Sequence, residues 1–398
     1  MPTISNRGKI RPESPIRKLS PFAEKAKERG VKVFHLNIGQ PDLQAPPQAL
    51  KAIRNFNQTT IGYTLSQGIK SFREKLVKYY DKYNIDIEAD DITITSGVSE
   101  AVTFAFMSCL NPGDEILVPE PTYANYKSFA IAAGAEVKSI TSNIEDSFAL
   151  PPIEEFEKLI TPKTKGIMIC NPNNPTGYLY TSEEMNKIRD LVKKYDLFLF
   201  SDEVYREFCY TESPYISAFH LEGIEQNVIL IDSVSKRYSE CGLRIGALIT
   251  KNKEVRHSVL KFCQARLSPP LIGQIAAEAS LDATPEYMLN NYNEYINRRN
   301  FLIDGLNRIE GVYSPMPMGA FYTVARLPVD DADKFCEWML SEFQFNNQTL
   351  FLAPASGFYL QPDKGKDEVR IAYVLKKEDL AICLKILEKA LKEYPGKK

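Results

Sequence analysis

The sequence lacks the residue clusters from which most protein metal sites are built. Its three histidines, His35, His220 and His257, are far apart, and none of its seven cysteines stands in a Cys-x-x-Cys pair. Zinc sites use cysteines and histidines at short, regular spacing. We therefore expect no metal site. Scattered cysteines in odd number also favour reduced, mostly buried thiols, as in a cytoplasmic protein.

A charge excess and long apolar segments are missing as well. The 49 Lys and Arg residues are balanced by 51 Asp and Glu residues, so the net charge of −2 offers no basic footprint for nucleic acid. No apolar run reaches the roughly 18 residues that a membrane span needs. The basic N-terminal stretch has no apolar segment of the secretory type. We expect a cytoplasmic protein that binds neither nucleic acid nor membrane.

Two common phosphate-binding loops are also absent, since neither G-x-G-x-x-G nor the Walker A pattern occurs. Instead, short runs rich in Ile, Leu and Val alternate with helical patterns between residues 90 and 250. The clearest helical pattern follows Thr181, which forms a capping-box pattern with Glu184. Runs without strict alternation are typical of strands buried on both faces. We predict a mostly parallel sheet covered by helices, with strands at 91–97, 115–121, 166–172, 197–203, 227–233 and 246–250.

Outside residues 90–250 the sequence pattern differs, and it changes most clearly after residue 285. Residues 65–83 form an amphipathic helical pattern, but after residue 285 a long helical stretch is followed by two strand-like runs and a C-terminal helix. Prolines at positions 2, 12, 15 and 21 favour an extended N-terminal arm. We predict an α/β fold with a large domain at 46–285 and a smaller α+β domain built from both termini, 1–45 and 286–398.

Polar groups follow several predicted strands, at the carboxyl ends where parallel sheets bind ligands. Ser233, Ser235 and Lys236 close one strand, and Arg244 lies eight residues beyond the lysine. Two hydroxyls and an arginine suit a phosphate. A lysine that is partly desolvated beside other cations has a lowered pKa and can form a Schiff base. A solvated basic loop is the alternative interpretation.

Three further groups could contribute to a ligand site at this edge. Asp202 ends a strand and suits a metal ligand, a helix cap or a partner for a protonated ring nitrogen. The segment 171–177, NPNNPTG, is either a simple turn or a source of ligand-binding amides. Gly97 joins a strand to a helix, where backbone N–H groups can bind an anion.

The combination of these groups is more specific than any one of them. NPNNPTG at 171–177, SDEVY at 201–205 and SVSK at 233–236 followed by Arg244 resemble the class I, aspartate-aminotransferase-like family of fold type I, which depends on pyridoxal phosphate (PLP). The resemblance covers about residues 15–395. It implies ping-pong transamination between an L-amino acid, aspartate favoured, and a 2-oxo acid such as 2-oxoglutarate. It also implies a homodimer with shared active sites.

The resemblance implies a role for individual residues. Lys236 would hold the cofactor as a Schiff base and shuttle the proton, Asp202 would pair with the ring nitrogen, and Tyr205 and Asn174 would bond the ring hydroxyl. The other implied cofactor contacts are Tyr123 on the ring, Val98, Ser99, Ser233, Ser235 and Arg244 at the phosphate, and Tyr63 at the phosphate of the partner subunit. The implied substrate contacts are Arg370 at the α-carboxylate, with Gly39 and Asn171 nearby.

The sequence departs from the family pattern at several places, two of which bear on the site. Leu243 stands where tryptophan is usual, and Ser99 stands where some relatives that use dicarboxylates carry lysine. Another basic residue must then bind a side-chain carboxylate, and Arg266, in the stretch FCQARLSPP, is our candidate. The alternative is a solvated or interface arginine.

Other activities remain open at this point. An aromatic or alanine-type aminotransferase would use the same motifs, and so would a β-elimination lyase. A PLP-binding regulator would need a DNA-binding extension, for which the first 45 residues are too short and too rich in proline. An α/β enzyme that binds other phosphates is the last alternative.

Overall fold

A seven-stranded sheet forms the centre of the protein. A computed structural model describes residues 2–398. The strands are β1 (Lys32–His35), β2 (Ile92–Thr95), β3 (Glu115–Glu120), β4 (Glu136–Thr141), β5 (Thr164–Cys170), β6 (Phe198–Asp202), β7 (Val228–Ser233), β8 (Gly246–Ile249), β9 (Tyr322–Arg326), β10 (Gln348–Phe351), β11 (Ala353–Pro354) and β12 (Glu368–Ala372). The central sheet has the order β2-β8-β7-β6-β5-β3-β4. Only β8 runs antiparallel to its neighbours, so the predicted mostly parallel α/β fold is confirmed.

The burial of this sheet explains its sequence. Every residue of β2, β3, β7 and β8 is buried. Successive residues pack on opposite faces, as Leu230 joins one apolar cluster and Ile231 joins the other. The six predicted strands end within two residues of the observed bounds. The sequence did not predict β4, because this edge strand, EVKSIT, is half-exposed and interrupted by charged residues.

Helices cover both faces of the sheet. They are α1 (Asn6–Ile10), α2 (Ser20–Glu28), α3 (Pro47–Arg54), α4 (Lys70–Asp81), α5 (Val98–Cys109), α6 (Asn125–Ala133), α7 (Ile153–Leu159), α8 (Ser182–Tyr195), α9 (Val234–Arg237), α10 (Lys253–Arg266), α11 (Leu271–Ser280), α12 (Pro285–Leu306), α13 (Ala332–Ser341) and α14 (Lys377–Glu393). The capping box at α8 is present, with Thr181 and Glu184 each accepting from the other's backbone N–H. Among residues 2–398, no helix combines the length and the apolar character that crossing a membrane requires.

Two sequence predictions about helices need correction. Helix α4 begins at Lys70 rather than near residue 65, because Gly68 has a φ of +100°, which a right-handed helix cannot contain. The N-terminal arm is not fully extended, since it contains α1. Pro21 lies in the first turn of α2, where a missing N–H costs no hydrogen bond.

Smaller sheets combine segments from the two ends of the chain. Strand β1 pairs in parallel with β10, and β9, β12 and β11 form an antiparallel sheet. Thus a strand near residue 32 contacts one near residue 348. The division at residues 46 and 285 stays a prediction.

The parallel strands determine where polar side chains collect. Neighbouring strands β5, β6 and β7 end at Cys170, Asp202 and Ser233, so the segments that follow them meet at one edge of the sheet. Helix α5 begins just after β2. This edge is where a ligand would be expected in such a fold.

Candidate active site

A cavity of about 720 Å³ lies at the carboxyl edge of the central sheet. Most of the residues that the sequence predicted for the site line it, although they come from widely separated segments. They are Gly39, Val98, Ser99, Tyr123, Asn174, Asp202, Tyr205, Ser233, Ser235, Lys236, Arg244 and Arg370.

Lys236 extends its amine into this cavity from the short helix α9. Its Nζ donates to the carbonyl of Gly39 at 2.8 Å and lies 3.8 Å from Cys241 Sγ. Burial alone would lower the pKa of Lys236, but Tyr322, Cys241 and Tyr123 together raise it above its usual value. The expected lowering is therefore wrong for the chain without a ligand. Arg370 opposes this rise, whereas the adjacent Arg237 turns away and pairs with buried carboxylates instead.

Asp202 lies at the base of the cavity, at the end of β6. Its Oδ2 accepts from the hydroxyl of Tyr126 at 2.7 Å, and its Oδ1 accepts from the backbone N–H of Val204 at 3.3 Å. Burial raises the pKa of this carboxyl to about 6, although these two hydrogen bonds oppose the rise. No Lys or Arg among residues 2–398 forms an ion pair with it. The Asp202 carboxylate therefore lacks a cationic partner among these residues.

A pair of tyrosine hydroxyls connects β9 with the turn that follows β6. Tyr205 donates to the hydroxyl of Tyr322 at 3.0 Å, and the side-chain amide of Asn174 lies 3.5 Å from the Tyr205 oxygen. Gly39 is needed beside them, because a Cβ at this position would collide with the hydroxyl of Tyr322. These groups can hold an oxygen atom of a ligand.

The other end of the cavity is built for an anion. Helix α5 begins at Val98, and Gly97 before it has a φ of +79°, with Arg244 so close that a Cβ would collide with the guanidinium. Ser233 Oγ and Ser235 Oγ lie 2.8 Å apart at the start of α9. Free N–H groups at a helix N-terminus, two hydroxyls and an arginine form a suitable phosphate site.

Arg370, on β12, also lines the cavity. It is 1% exposed, donates to Asn174 Oδ1 at 3.1 Å and to the carbonyl of Asn37, and leaves its Nε without a partner. Its guanidinium lies 4.7 Å from the ring centre of Tyr322. Burial lowers its pKa, which marks a cation without a compensating carboxylate.

Three predicted residues do not line the cavity. Asn171 is fully buried beneath it, where its amide accepts from the Tyr180 N–H and donates to the Ile216 carbonyl. Tyr63 lies in the segment before α4 with 80% of its surface exposed. Arg266 ends α10, pairs with Glu100 at 3.4 Å and donates to two backbone carbonyls. Within this chain the Arg266 hypothesis therefore has no support from geometry.

Several lining residues were missed by sequence reasoning. Tyr126 follows Tyr123 by three residues, and that helical spacing was a signal for a shared face. Tyr322 lies in a run that was interpreted only as a strand. Cys241 and Arg17 also line the cavity, and no motif marked them.

The lining residues fit PLP in four ways. The unpaired buried carboxylate of Asp202 matches a protonated ring nitrogen. The α5 N-terminus, the two serines and Arg244 match a phosphate, and Lys236 presents an amine to the space between them. Tyr123, held by a hydrogen bond from Asn125 at 2.8 Å, offers a flat face to a ring.

Known proteins resemble the chain over almost its whole length. Residues 31–387 match the model of the family described as aminotransferase class I and II. An aspartate aminotransferase from Thermotoga maritima is 33% identical over 94% of this chain and 97% of that protein. An aromatic-amino-acid aminotransferase 2 from Thermococcus litoralis is 30% identical over 98% of each chain. The structure of an alanine aminotransferase from Pyrococcus furiosus superposes with a TM-score of 0.90 at 30% identity, covering 98% of this chain and 100% of that one.

The family match over most of the chain and the residues that line the cavity lead to the same conclusion. Aminotransferases of this family use PLP to exchange an amino group between an amino acid and a 2-oxo acid. The chain belongs to the class I and II aminotransferases, a family of PLP-dependent enzymes.

Proposed function

We propose that this aminotransferase exchanges an amino group between L-aspartate and 2-oxoglutarate, in a ping-pong sequence that reuses one cavity for both substrates. Arg370 carries the proposal. Five arginines are buried, and four of them, Arg73, Arg206, Arg237 and Arg298, pair with carboxylates. Arg370 forms no ion pair among residues 2–398 and lines the cavity. A buried cation of this kind is stabilised when the α-carboxylate of a substrate binds it.

The cavity supplies the remaining parts of the reaction. PLP, when bound, supplies an electron sink for the bonds at the substrate α-carbon. We assign its phosphate to Val98, Ser99, Ser233, Ser235 and Arg244, and its ring to Tyr123, Asp202, Tyr205 and Asn174. Lys236 would hold the cofactor covalently, and its free amine would move the proton at the substrate α-carbon. Asp202, ionised beside a protonated ring nitrogen, keeps that nitrogen charged.

The preference for aspartate rests on a second cation. Arg17 lines the same cavity as Arg370 and, within residues 2–398, its side chain neither pairs with a carboxylate nor donates a hydrogen bond. A guanidinium free to bind a side-chain carboxylate favours a dicarboxylic donor over a neutral one. The similarity to an aspartate aminotransferase points the same way. Arg266 has no such freedom, because Glu100 already pairs with it.

A panel of amino donors with 2-oxoglutarate tests this preference. We expect Arg17→Ala to reduce kcat/KM for aspartate by roughly thirtyfold or more, about 2 kcal/mol, while changing that for alanine or phenylalanine little. Arg266→Ala is the matched control and should lower kcat/KM equally for both donors. A wild-type enzyme that prefers a neutral or aromatic donor would overturn the aspartate assignment. Ammonia release without a 2-oxo acid would indicate a lyase.

We also propose a homodimer with shared active sites. The segment between α3 and α4 contains exposed apolar residues, with Ile61 65%, Tyr63 80% and Leu65 59% exposed. Exposed apolar residues in one short segment are typical of an interface. Tyr63 lies away from its own chain's cavity, which leaves it free to reach the phosphate site of a second copy.

Hybrid dimers provide a direct measurement. Tyr63→Ala and Lys236→Ala chains should each be nearly inactive as homodimers, yet mixing them should restore activity. If sites are shared, one hybrid site carries both defects and the other carries neither. Dimers that exchange subunits without regaining activity would contradict the shared site.

The domain division and the location of the enzyme are further proposals. We propose that residues 46–285 form the PLP-binding domain and that both termini form the smaller one. All seven cysteines are free thiols, which suits the reducing cytoplasm.

A further inference from the structure

Tyr126 has two contacts that no sequence motif assigned to it. It lies in the first turn of α6 and is fully buried. Its hydroxyl donates to Asp202 Oδ2 at 2.7 Å. Since the Val204 N–H occupies Oδ1, the two hydrogen bonds fix the orientation of the carboxylate.

The ring of Tyr126 touches a second residue of the site. It meets the Tyr123 ring edge-on, with the centroids 5.3 Å apart and the planes at 82°. Such a contact is stabilising and holds both rings in one orientation. Tyr126 thus contacts both the Asp202 carboxylate, at the base of the cavity, and the ring of Tyr123.

We propose that Tyr126 is a positioning residue of the aminotransferase, which turns the Asp202 carboxylate toward the cofactor ring nitrogen, keeps it ionised, and orients Tyr123 against the ring. The inference rests on the proposed role of Asp202. It adds a residue that acts on the cofactor only through these two neighbours.

The electrostatics of Asp202 show why the hydroxyl matters. The titratable groups that face it from the surrounding elements are Tyr123, Tyr126, Cys170, Glu203, Tyr205 and Asp232. None of them is a cation, and Asp232 and Glu203 raise the Asp202 pKa. The Tyr126 hydrogen bond lowers that pKa. Without the hydroxyl, the pKa rises further and the carboxylate pairs less strongly with a protonated ring.

Tyr126→Phe removes the hydroxyl and keeps the ring, and Tyr80→Phe is its matched control. Tyr80 is equally buried and donates to another buried aspartate, Asp232, at 2.6 Å, but neither residue lines the cavity. The readouts are the Kd of the cofactor-free protein for PLP and the pH midpoint of the visible absorption change of the bound cofactor. Thermal stability of the cofactor-free proteins reports the purely structural cost.

We expect Tyr126→Phe to weaken PLP binding by about tenfold, as for a lost hydrogen bond to a charged group. The absorption midpoint should rise by about half a pH unit or more, because a less protonated ring makes the other groups of the cofactor less acidic. Tyr80→Phe should change stability to a similar extent but leave both cofactor readouts at wild-type values.

A double-mutant cycle separates this proposal from the role of Asp202. In an Asp202→Asn background, where there is no charge to stabilise, Tyr126→Phe should change the PLP Kd less than about twofold. A full loss in that background, or equal cofactor effects of Tyr126→Phe and Tyr80→Phe, would overturn the positioning role. If Asp202→Asn itself leaves PLP binding unchanged, the assignment of Asp202 fails first.

Discussion

Lys236→Ala should reduce turnover by at least about 10⁴-fold, since it removes both the covalent anchor and the base that moves the α-proton. The cavity offers no substitute amine, because Lys236 is the only lysine among its described lining residues. The phosphate site around Arg244 is untouched, so PLP should still bind, although more weakly. The measurement is single-turnover kinetics with aspartate, together with a PLP titration.

Lys236→Arg is the informative companion variant. It keeps a cation in the cavity, but the guanidinium stays protonated at neutral pH and therefore cannot accept the α-proton. It should therefore be as inactive as the alanine variant. A small primary amine added to Lys236→Ala should restore part of the turnover. Near wild-type turnover by either variant would refute the assignment.

The strand ends were predictable because local sequence determines them. Asp202 and Ser233 each close a run of apolar residues, and parallel strands bring such ends to one edge. The contacts of Lys236 were not predictable from its surroundings in sequence. Its acceptor, Gly39, is 197 residues away, and Arg237, its immediate neighbour, turns out of the cavity. Distance along the chain is no guide to electrostatics in the folded protein.

The substrate side was the least predictable part of the site. The interpretation of Arg266 depended on neighbouring residues in the sequence, whereas its actual partner, Glu100, lies on another helix. Arg17 carried no motif, since its position at the cavity depends on how the N-terminal segment packs. A cationic side chain becomes a substrate ligand only when the fold leaves it without a carboxylate of its own.

Asp202→Asn should have opposite effects on stability and on catalysis. In the cofactor-free protein the Asp202 pKa is about 6, above its ordinary 3.8, because burial penalises the charged form. Above pH 6 the folded protein must therefore hold an uncompensated buried charge, which costs roughly 3 kcal/mol from this difference in pKa. We expect the variant to unfold less readily than wild type at about pH 8, with the advantage disappearing below about pH 4. With PLP bound, kcat should fall about a hundredfold, because the ring nitrogen loses its counter-charge.

The neighbouring Asp232 supplies the matched control, because it is buried to the same degree on the adjacent strand. Burial alone would raise its pKa, but Arg237 and Arg206 hold the pKa below its ordinary value. Asp232→Asn should therefore destabilise the cofactor-free protein at about pH 8, the opposite sign to Asp202→Asn. A loss of less than about tenfold in kcat for Asp202→Asn would contradict its role at the ring nitrogen. If the two variants changed stability in the same direction, the result would contradict the conclusion that Asp202 lacks a cationic partner until the cofactor binds.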